Sequence, residues 1–267
     1  MQWTARGDQV APPFPDTGGR TSRRQLLGRA VRSLSLSILA LLLACALAFG
    51  LLLVVTPSTS NARQLAMAFD RAHGAAYPGV AVPVRFATAL EATEDHRFTS
   101  EPGVDPVAVL RVLHGYVTGR GDQGGATLYQ QLAKMLYTPG QTGTGAEAEQ
   151  IALAVKLKYT YSQAEILRLY ADVAYFGHGF YGLQSASCGY FGVRPDRMSW
   201  PQAALLAGLV QGPTADDPLD HPAAGLAREQ HVIGRLVAVG AISQAQANAY
   251  LAIPVSGLVS QAGGCRG

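Results

Sequence analysis

Charge is scarce in this chain: Asp, Glu, Lys and Arg make up only 15% of its 267 residues, and they balance to +3. No stripe of basic residues resembles a nucleic-acid-binding face, so no nucleic acid is expected as a partner. Cysteine is nearly absent, with three residues. No CxxC or HExxH spacing occurs, which argues against a structural zinc site and leaves no metal ligand to name. No stretch alternates apolar and polar residues at strand period, and no internal repeat recurs, so a sheet-built or repeat architecture is excluded and a mainly α fold is expected. The length suffices for one large domain or two small ones with a substantial core.

Much of the apolar content sits in one place. Leu34 to Val55, LSLSILALLLACALAFGLLLVV, is an uncharged run of 22 residues. At roughly 1.5 Å per residue it crosses a hydrocarbon core of about 30 Å. Arg20, Arg23, Arg24, Arg29 and Arg32 precede it, and the uncharged Thr56 to Ala62 follows. The positive flank predicts a cytoplasmic N-terminus, with everything after Thr56 outside. Three export signals compete with an anchor. Ala46-Leu47-Ala48 looks like a cleavage site, Ser22 to Leu27 resembles a twin-arginine signal, and Leu42 to Cys45 resembles a lipoprotein box. The apolar run continues past all of them to Val55, so an uncleaved anchor is expected. Cys45 would then lie in the bilayer, leaving Cys188 and Cys265 outside and able to form one disulfide in an oxidising compartment.

Residues 56–82 are rich in Ser, Ala, Pro and Gly and read as a linker with one short helix, capped by Asn61 and ending near His73. From Pro83 on, helical periodicity dominates. In Phe86 to Glu101, FATALEATEDHRFTSE, roughly 100° per residue puts Phe86, Ala87, Leu90 and Phe98 on one face with Glu94 among them, while Asp95 points off it. A carboxyl on a buried face loses hydration, and its pKa rises towards values useful for proton transfer. Glu94 is therefore the first candidate acid or base; a surface helix end paired with Arg97 or His96 is the plainer alternative.

Asp105-Pro106 opens a helix to about Val117, and Gly119 to Gly125, GRGDQGG, breaks the pattern as a loop. Thr127 and Gln130 have capping-box spacing, so a helix begins at Leu128. Thr127, Gln131 and Lys134 share its polar face. A hydroxyl, an amide and an ammonium at a helix start suit an anionic ligand, and equally a plain cap with a solvated face. A helix from about Ala146 to Tyr159 turns Gln150 inward, and Ser162 with Glu165 caps the next. That helix leads into the Gly177 to Gly182 loop. Ser199 caps a buried helix, and Arg228 to Tyr250 reads as helix, turn, helix.

Several of these segments together carry a family resemblance. EDHRF at Glu94 to Phe98 with Gly103, GGATLYQQLAK at Gly124 to Lys134, EILRLYADVAYFGHGFYGLQSAS at Glu165 to Ser187, LLAGLVQGP at Leu205 to Pro213, and Arg228-x-x-x-Val232-Ile233-x-Arg235 occur in the same order as in the peptidoglycan glycosyltransferases, glycosyltransferase family 51. The resemblance implies a lysozyme-like α-helical glycosyltransferase domain with a smaller membrane-proximal lobe, preceded by one transmembrane helix. It implies polymerisation of lipid II into glycan strands, with Glu94 as general base on the acceptor 4-hydroxyl and Asp95 completing that catalytic motif. Phe98, Thr127, Gln131 and Lys134 match substrate-binding positions, the last three around the donor diphosphate. The expected partners are lipid II, the growing glycan strand, the membrane and cell-wall synthesis proteins. No cofactor is required, and a divalent cation at the diphosphate is compatible with this reading. The expected division is a cytoplasmic tail at 1–33, an anchor at 34–55, a linker at 56–82, the glycosyltransferase domain at 83–252 and a tail at 253–267. An anchor followed directly by this domain, without room for a transpeptidase, is similar to the monofunctional members, and it implies a single-pass bacterial membrane protein with the domain extracytoplasmic.

The departures fall at functional positions. The family's third motif, Arg-Lys-x-x-Glu, places Ala146, Glu147 and Gln150 at its specified positions, so an amide replaces the second carboxylate. Glu147 lies one turn earlier, about 60° round and roughly 5 Å away, and is a candidate stand-in. Glu101 replaces the usual His, Ala126 the usual Ser, Tyr129 a Thr, Met135 an Asn, and Asp172 the frequent Asn. An active, divergent polymerase is expected. Its rivals are a weakened homologue that binds lipid II or synthesis proteins, and a muramidase-like hydrolase with Glu94 as general acid.

Overall fold

The computed structural model describes residues 23–75, 77–100, 103, 126–252, 255 and 265. The expected helix from Asp105 to Val117, the loop from Gly119 to Gly125 and Glu101 lie outside them. The described residues are mainly helical and form no sheet; Tyr175 and Tyr181 make one isolated antiparallel bridge. Two compact units divide the chain, Met1–Leu51 and Leu52–Gly267.

Helix α1 (Arg23–Val55) contains the apolar run and begins well before it. Its 33 residues span about 50 Å, and its stretch Leu26–Val55 is long and apolar enough to cross a membrane. Cys45 lies exposed on it as a free thiol.

The second unit holds the core. Helix α2 (Ala62–Ala72) follows Asn61 as expected, but the Asn61 side chain makes no cap bond. This segment is no free spacer, because Ala62 and Ala66 are fully buried within the core. Small residues at that spacing let α2 sit close on α6 (Gln163–Val173). Lys156 fastens the chain just before it, donating to the carbonyls of Thr56 at 2.7 Å and Pro57 at 3.0 Å.

Helix α3 (Val84–Glu94) buries Phe86, Ala89 and Leu90. Here the expectation is corrected: the helix stops at Glu94, and Phe98 reaches the core from the following turn rather than from a continued helical face. Helix α4 (Leu128–Tyr137) starts where its capping box predicts, with the Thr127 hydroxyl accepting the Gln130 N–H and the Gln130 side chain accepting the Thr127 N–H. Helix α5 (Thr144–Thr160) packs against α4, and α6 packs against both. Ser162 caps α6, while the Glu165 carboxylate turns away to pair with Arg63 of α2.

The tyrosine-rich loop and α7 (Leu183–Phe191) lead to α8 (Trp200–Leu209), capped by Ser199 with Pro201 in its first turn. Apolar and small residues all round α8 make it a core helix: residues Ala203 to Leu209 are buried without exception. Each fully buried leucine there contributes about 1.5–3 kcal/mol relative to exposure. Helices α3 and α9 (Pro222–Ala238) pack on α8 and on one another. Helix α10 (Gln244–Leu251), capped by Ser243 and Gln246, closes the fold. Cys188 of α7 and Cys265 form a disulfide, with Cα atoms 4.6 Å apart.

Candidate functional site

Glu94 is the last residue of α3, where a side chain leaves the helix stack and can turn towards other elements. Arg235 of α9 steadies that end by donating from Nε to the Ala92 carbonyl at 3.1 Å. The Glu94 side chain is only 10% exposed. Its Oε2 accepts the Gln131 amide at 3.0 Å, and its Oε1 lies 3.7 Å from the Arg228 guanidinium. Burial raises the Glu94 pKa, the Gln131 hydrogen bond and the Arg228 charge oppose the rise, and the neighbouring Asp95 adds to it.

Arg228 reaches Glu94 because Gly208 leaves room. A Cβ on Gly208 would meet the Arg228 Cγ at 2.6 Å and the Val232 side chain at 3.2 Å. The absence of that carbon lets α9 settle against α8, and the Gly208 carbonyl accepts Arg228 Nε at 2.8 Å. On its far side Arg228 faces Asp216 at 3.8 Å. Gln131 is held as firmly, since its Oε1 accepts the hydroxyl of the buried Tyr170 at 2.8 Å. The Tyr170 pKa is raised well above that of a free phenol, first by burial and then by the Glu94 charge, so the hydroxyl stays a neutral donor.

The remaining expected residues divide into three groups. Asp95 is buried, and its Oδ2 accepts the N–H of Leu128, the first residue of α4, at 3.0 Å. It links α3 to α4 and sets the register between Glu94 and Gln131. Thr127 is 2% exposed, and its hydroxyl donates to the Gly103 carbonyl while accepting the Gln130 N–H. Two of the α4 N–H groups expected to greet an anion are therefore occupied, one by Asp95 and one by Thr127, and the Gln131 N–H bonds the Thr127 carbonyl. Of the two readings of this helix start, the cap is the one the hydrogen bonds show, with a carboxylate and a hydroxyl at the end. Thr127 acts as a cap in this structure. Lys134, exposed on the same face as Gln131, is the charge left to meet an anion; among the described residues it has no ion-pair partner.

Phe98 is 1% exposed and stacked on Tyr129 at 5.0 Å between ring centres. The tyrosine at 129 is fully buried, and Lys158 donates to its hydroxyl at 3.1 Å; the departure from threonine is absorbed by packing.

Gln150 and Glu147 are not brought to Glu94. The Gln150 amide donates to the Thr138 hydroxyl at 2.9 Å, at the opposite end of α4 from Gln131. Seven residues of helix put these ends about 10 Å apart along the axis. Glu147 is exposed in the first turn of α5. Lys134 lies between the two ends.

Arg228, Tyr170 and Asp216 are the supporting residues that sequence reasoning did not assign a role. Arg228 stands in a quoted motif, but only folding brings it to Glu94.

A family model described as Transglycosylase matches residues 63–237, beginning inside α2 rather than at Pro83. Penicillin-binding protein 1A of Aquifex aeolicus is 36% identical over 166 residues, which cover 62% of this chain and 23% of that protein. A Cupriavidus necator protein named as a transglycosylase is 29% identical over 174 residues, 65% of this chain and 75% of that one. The crystal structure of penicillin-binding protein 1A from Haemophilus influenzae aligns at 19% identity with a TM-score of 0.41, over 69% of this chain and 18% of that one. The chain spans about a quarter of the length of the penicillin-binding proteins it matches.

Proposed function

Because the chain belongs to the transglycosylase family, we propose that it is a peptidoglycan glycosyltransferase that joins lipid II to a growing glycan strand, with Glu94 as general base. The observation that carries this reading is the Glu94 carboxyl itself: nearly buried, raised in pKa by that burial, and fixed between Gln131 and Arg228. A group so placed holds one orientation and has a proton affinity above that of a free carboxylate, as general-base chemistry requires. It takes the proton of the acceptor 4-hydroxyl while that oxygen attacks the donor anomeric carbon. The bond to the lipid diphosphate breaks on the opposite side, which inverts the centre.

Lys134 supplies positive charge near the departing diphosphate. Asp95 acts at one remove, by holding the start of α4 against the end of α3. Gln150 and Glu147 occupy the region beyond Lys134, where an amide in place of a carboxylate weakens any contribution to cation or proton handling. Helix α1 serves as a single-pass anchor with residues 1–33 cytoplasmic and the domain extracytoplasmic. Anchoring confines enzyme and lipid-borne substrate to one surface and raises their effective concentration. Growing glycan strands and other cell-wall synthesis proteins are the partners in that setting.

The test is polymerisation of fluorescent lipid II by the full chain in detergent. Wild type yields glycan ladders, and Glu94→Gln yields none while remaining folded. Lipid II binding without any product from wild type would assign the chain instead to a binding role, the reading favoured by Gln150. Fragments released from finished cell wall would assign it to hydrolysis.

A further inference from the structure

Outside the Glu94 site, His178, Asp217 and Asp220 bring three donor atoms within 4.8 Å of one another. We propose that this cluster is a binding site for a borderline divalent cation, zinc above all, that fastens the Gly177 to Gly182 loop to the 213–221 turn. The site is independent of the glycosyltransferase reading.

The loop presents His178 at the corner of a tight turn, closed by the Phe180 N–H donating to the Gly177 carbonyl at 2.8 Å. His178 takes a left-handed φ of 50° between two glycines in the same region, which lifts its ring out of the loop. Its Nδ1 lies 3.4 Å from Asp217 Oδ2 and 4.0 Å from Asp220 Oδ2. A tetrahedral zinc with bonds of about 2.1 Å holds its donors roughly 3.4 Å apart. The Asp217 distance meets that spacing, and Asp220, whose side chain is 64% exposed, is free to swing the remainder.

Charge favours an ion over a lone imidazolium. Asp217 is 2% exposed, and its other oxygen accepts the Leu219 N–H at 3.0 Å. Two carboxylates and a neutral imidazole carry −2, which a protonated ring reduces only to −1 and a divalent cation neutralises. One nitrogen with two oxygens is a donor set that zinc, and less strongly manganese, accepts; magnesium and calcium prefer oxygen alone. The exposed side leaves coordination positions for water. Asp216, next in the chain to Asp217, faces Arg228 and through it Glu94. An ion here stiffens the turn that carries Asp216, the second acidic partner of Arg228.

The experiment uses the full chain in detergent, stripped with chelator, with zinc chloride as probe. Metal content after gel filtration and the melting temperature are read together, without any activity assay. The expected result is one zinc per chain and a melting temperature raised by about 5 °C or more at a hundredfold excess over Kd. Asp220→Asn, and His178→Asn, which tolerates the left-handed backbone, each lose the zinc and the shift, while their metal-free melting temperatures stay within about 2 °C of wild type. No zinc retained by wild type overturns the proposal. So does zinc retained by both variants, or a shift that magnesium reproduces.

Discussion

Gln131 holds Glu94 with one end of its amide and Tyr170 with the other: Nε2 donates to the carboxylate at 3.0 Å, and Oε1 accepts the phenol hydroxyl at 2.8 Å. A flipped amide would set its carbonyl oxygen against the Glu94 carboxylate. Tyr170 therefore decides which end of Gln131 the carboxylate meets, and so favours its charged form in one orientation. That places the tuning of Glu94 partly in a residue 76 positions further along the chain.

Replacement of Glu94 by Gln removes the proposed proton acceptor and leaves the shape. Glycan polymerisation should fall by about 10²–10⁴-fold. The melting temperature should hold or rise, since a buried charge is lost. A variant with near wild-type product would remove Glu94 from the reaction.

Arg228→Gln tests electrostatics rather than shape. The Arg228 charge lowers the Glu94 pKa against the rise caused by burial, so its removal moves that pKa higher. With the deprotonated carboxylate as the active form in the proposed reaction, the acid limb of kcat/KM against pH should shift to higher pH, with a smaller loss on the alkaline plateau. An equal loss at every pH would mean that Arg228 only supports the fold.

Gln150→Glu restores a carboxylate about 10 Å along α4 from the base. The Thr138 hydroxyl, now accepting from Gln150, can rotate to donate to a carboxylate, so the fold should tolerate the change. Polymerisation is expected to rise at least about tenfold, which corresponds to about 1.4 kcal/mol of barrier. An unchanged rate would point to Glu147 or another route.

Lys134→Ala should leave the melting temperature within about 1 °C, because the side chain is exposed and has no ion-pair partner among the described residues. Its effect should fall on turnover, with a loss of about 10²-fold, as expected when charge facing a leaving group is removed. A change confined to KM would make it a docking residue instead.

Asp70 and Asp172 give a stability test. Burial and the charge of Asp172 push Asp70 up to about 7, and both Asp70 side-chain oxygens lack a hydrogen-bond partner among the described residues. Burial pushes Asp172 to about 6, against the pull of the Gly79 N–H and Arg168. Folded-state pKa values above the unfolded ones mean that the folded chain binds more protons, so stability is greatest below about pH 4 and is lost as pH rises towards 7. Asp172→Asn keeps an acceptor for Gly79 and offers Asp70 a donor. It should stabilise the chain by about 1–3 kcal/mol at pH 8 and by much less at pH 5. Equal denaturation midpoints for both proteins at pH 8 would refute this account.

What could be read from the sequence was local. Thr127 with Gln130, and Ser199 with Gln202, marked helix starts to the residue, because a capping box lies within four positions. The burial of Glu94 followed from its apolar neighbours. The end of α3 did not, because the Asp95 carboxylate is drawn to the start of a helix 33 residues later, and periodicity carries no record of that. For the same reason Phe98 looked like a lining residue: its stacking partner, Tyr129, was visible only as a departure from a motif. Arg228 lies 134 positions from Glu94, and the gap that admits it depends on a single glycine of another helix. Such contacts belong to tertiary packing, which pattern and spacing do not encode.

The shared position of Arg228 between two acids has a further consequence. With Glu94 ionised, one guanidinium stands against two carboxylates and the trio carries an excess negative charge. Once Glu94 has taken a proton, Arg228 and Asp216 form a balanced couple by themselves. In the proposed reaction, turnover would thus swing the pocket between net negative and neutral without recruiting a counterion, and each newly arriving sugar hydroxyl would meet the negative phase.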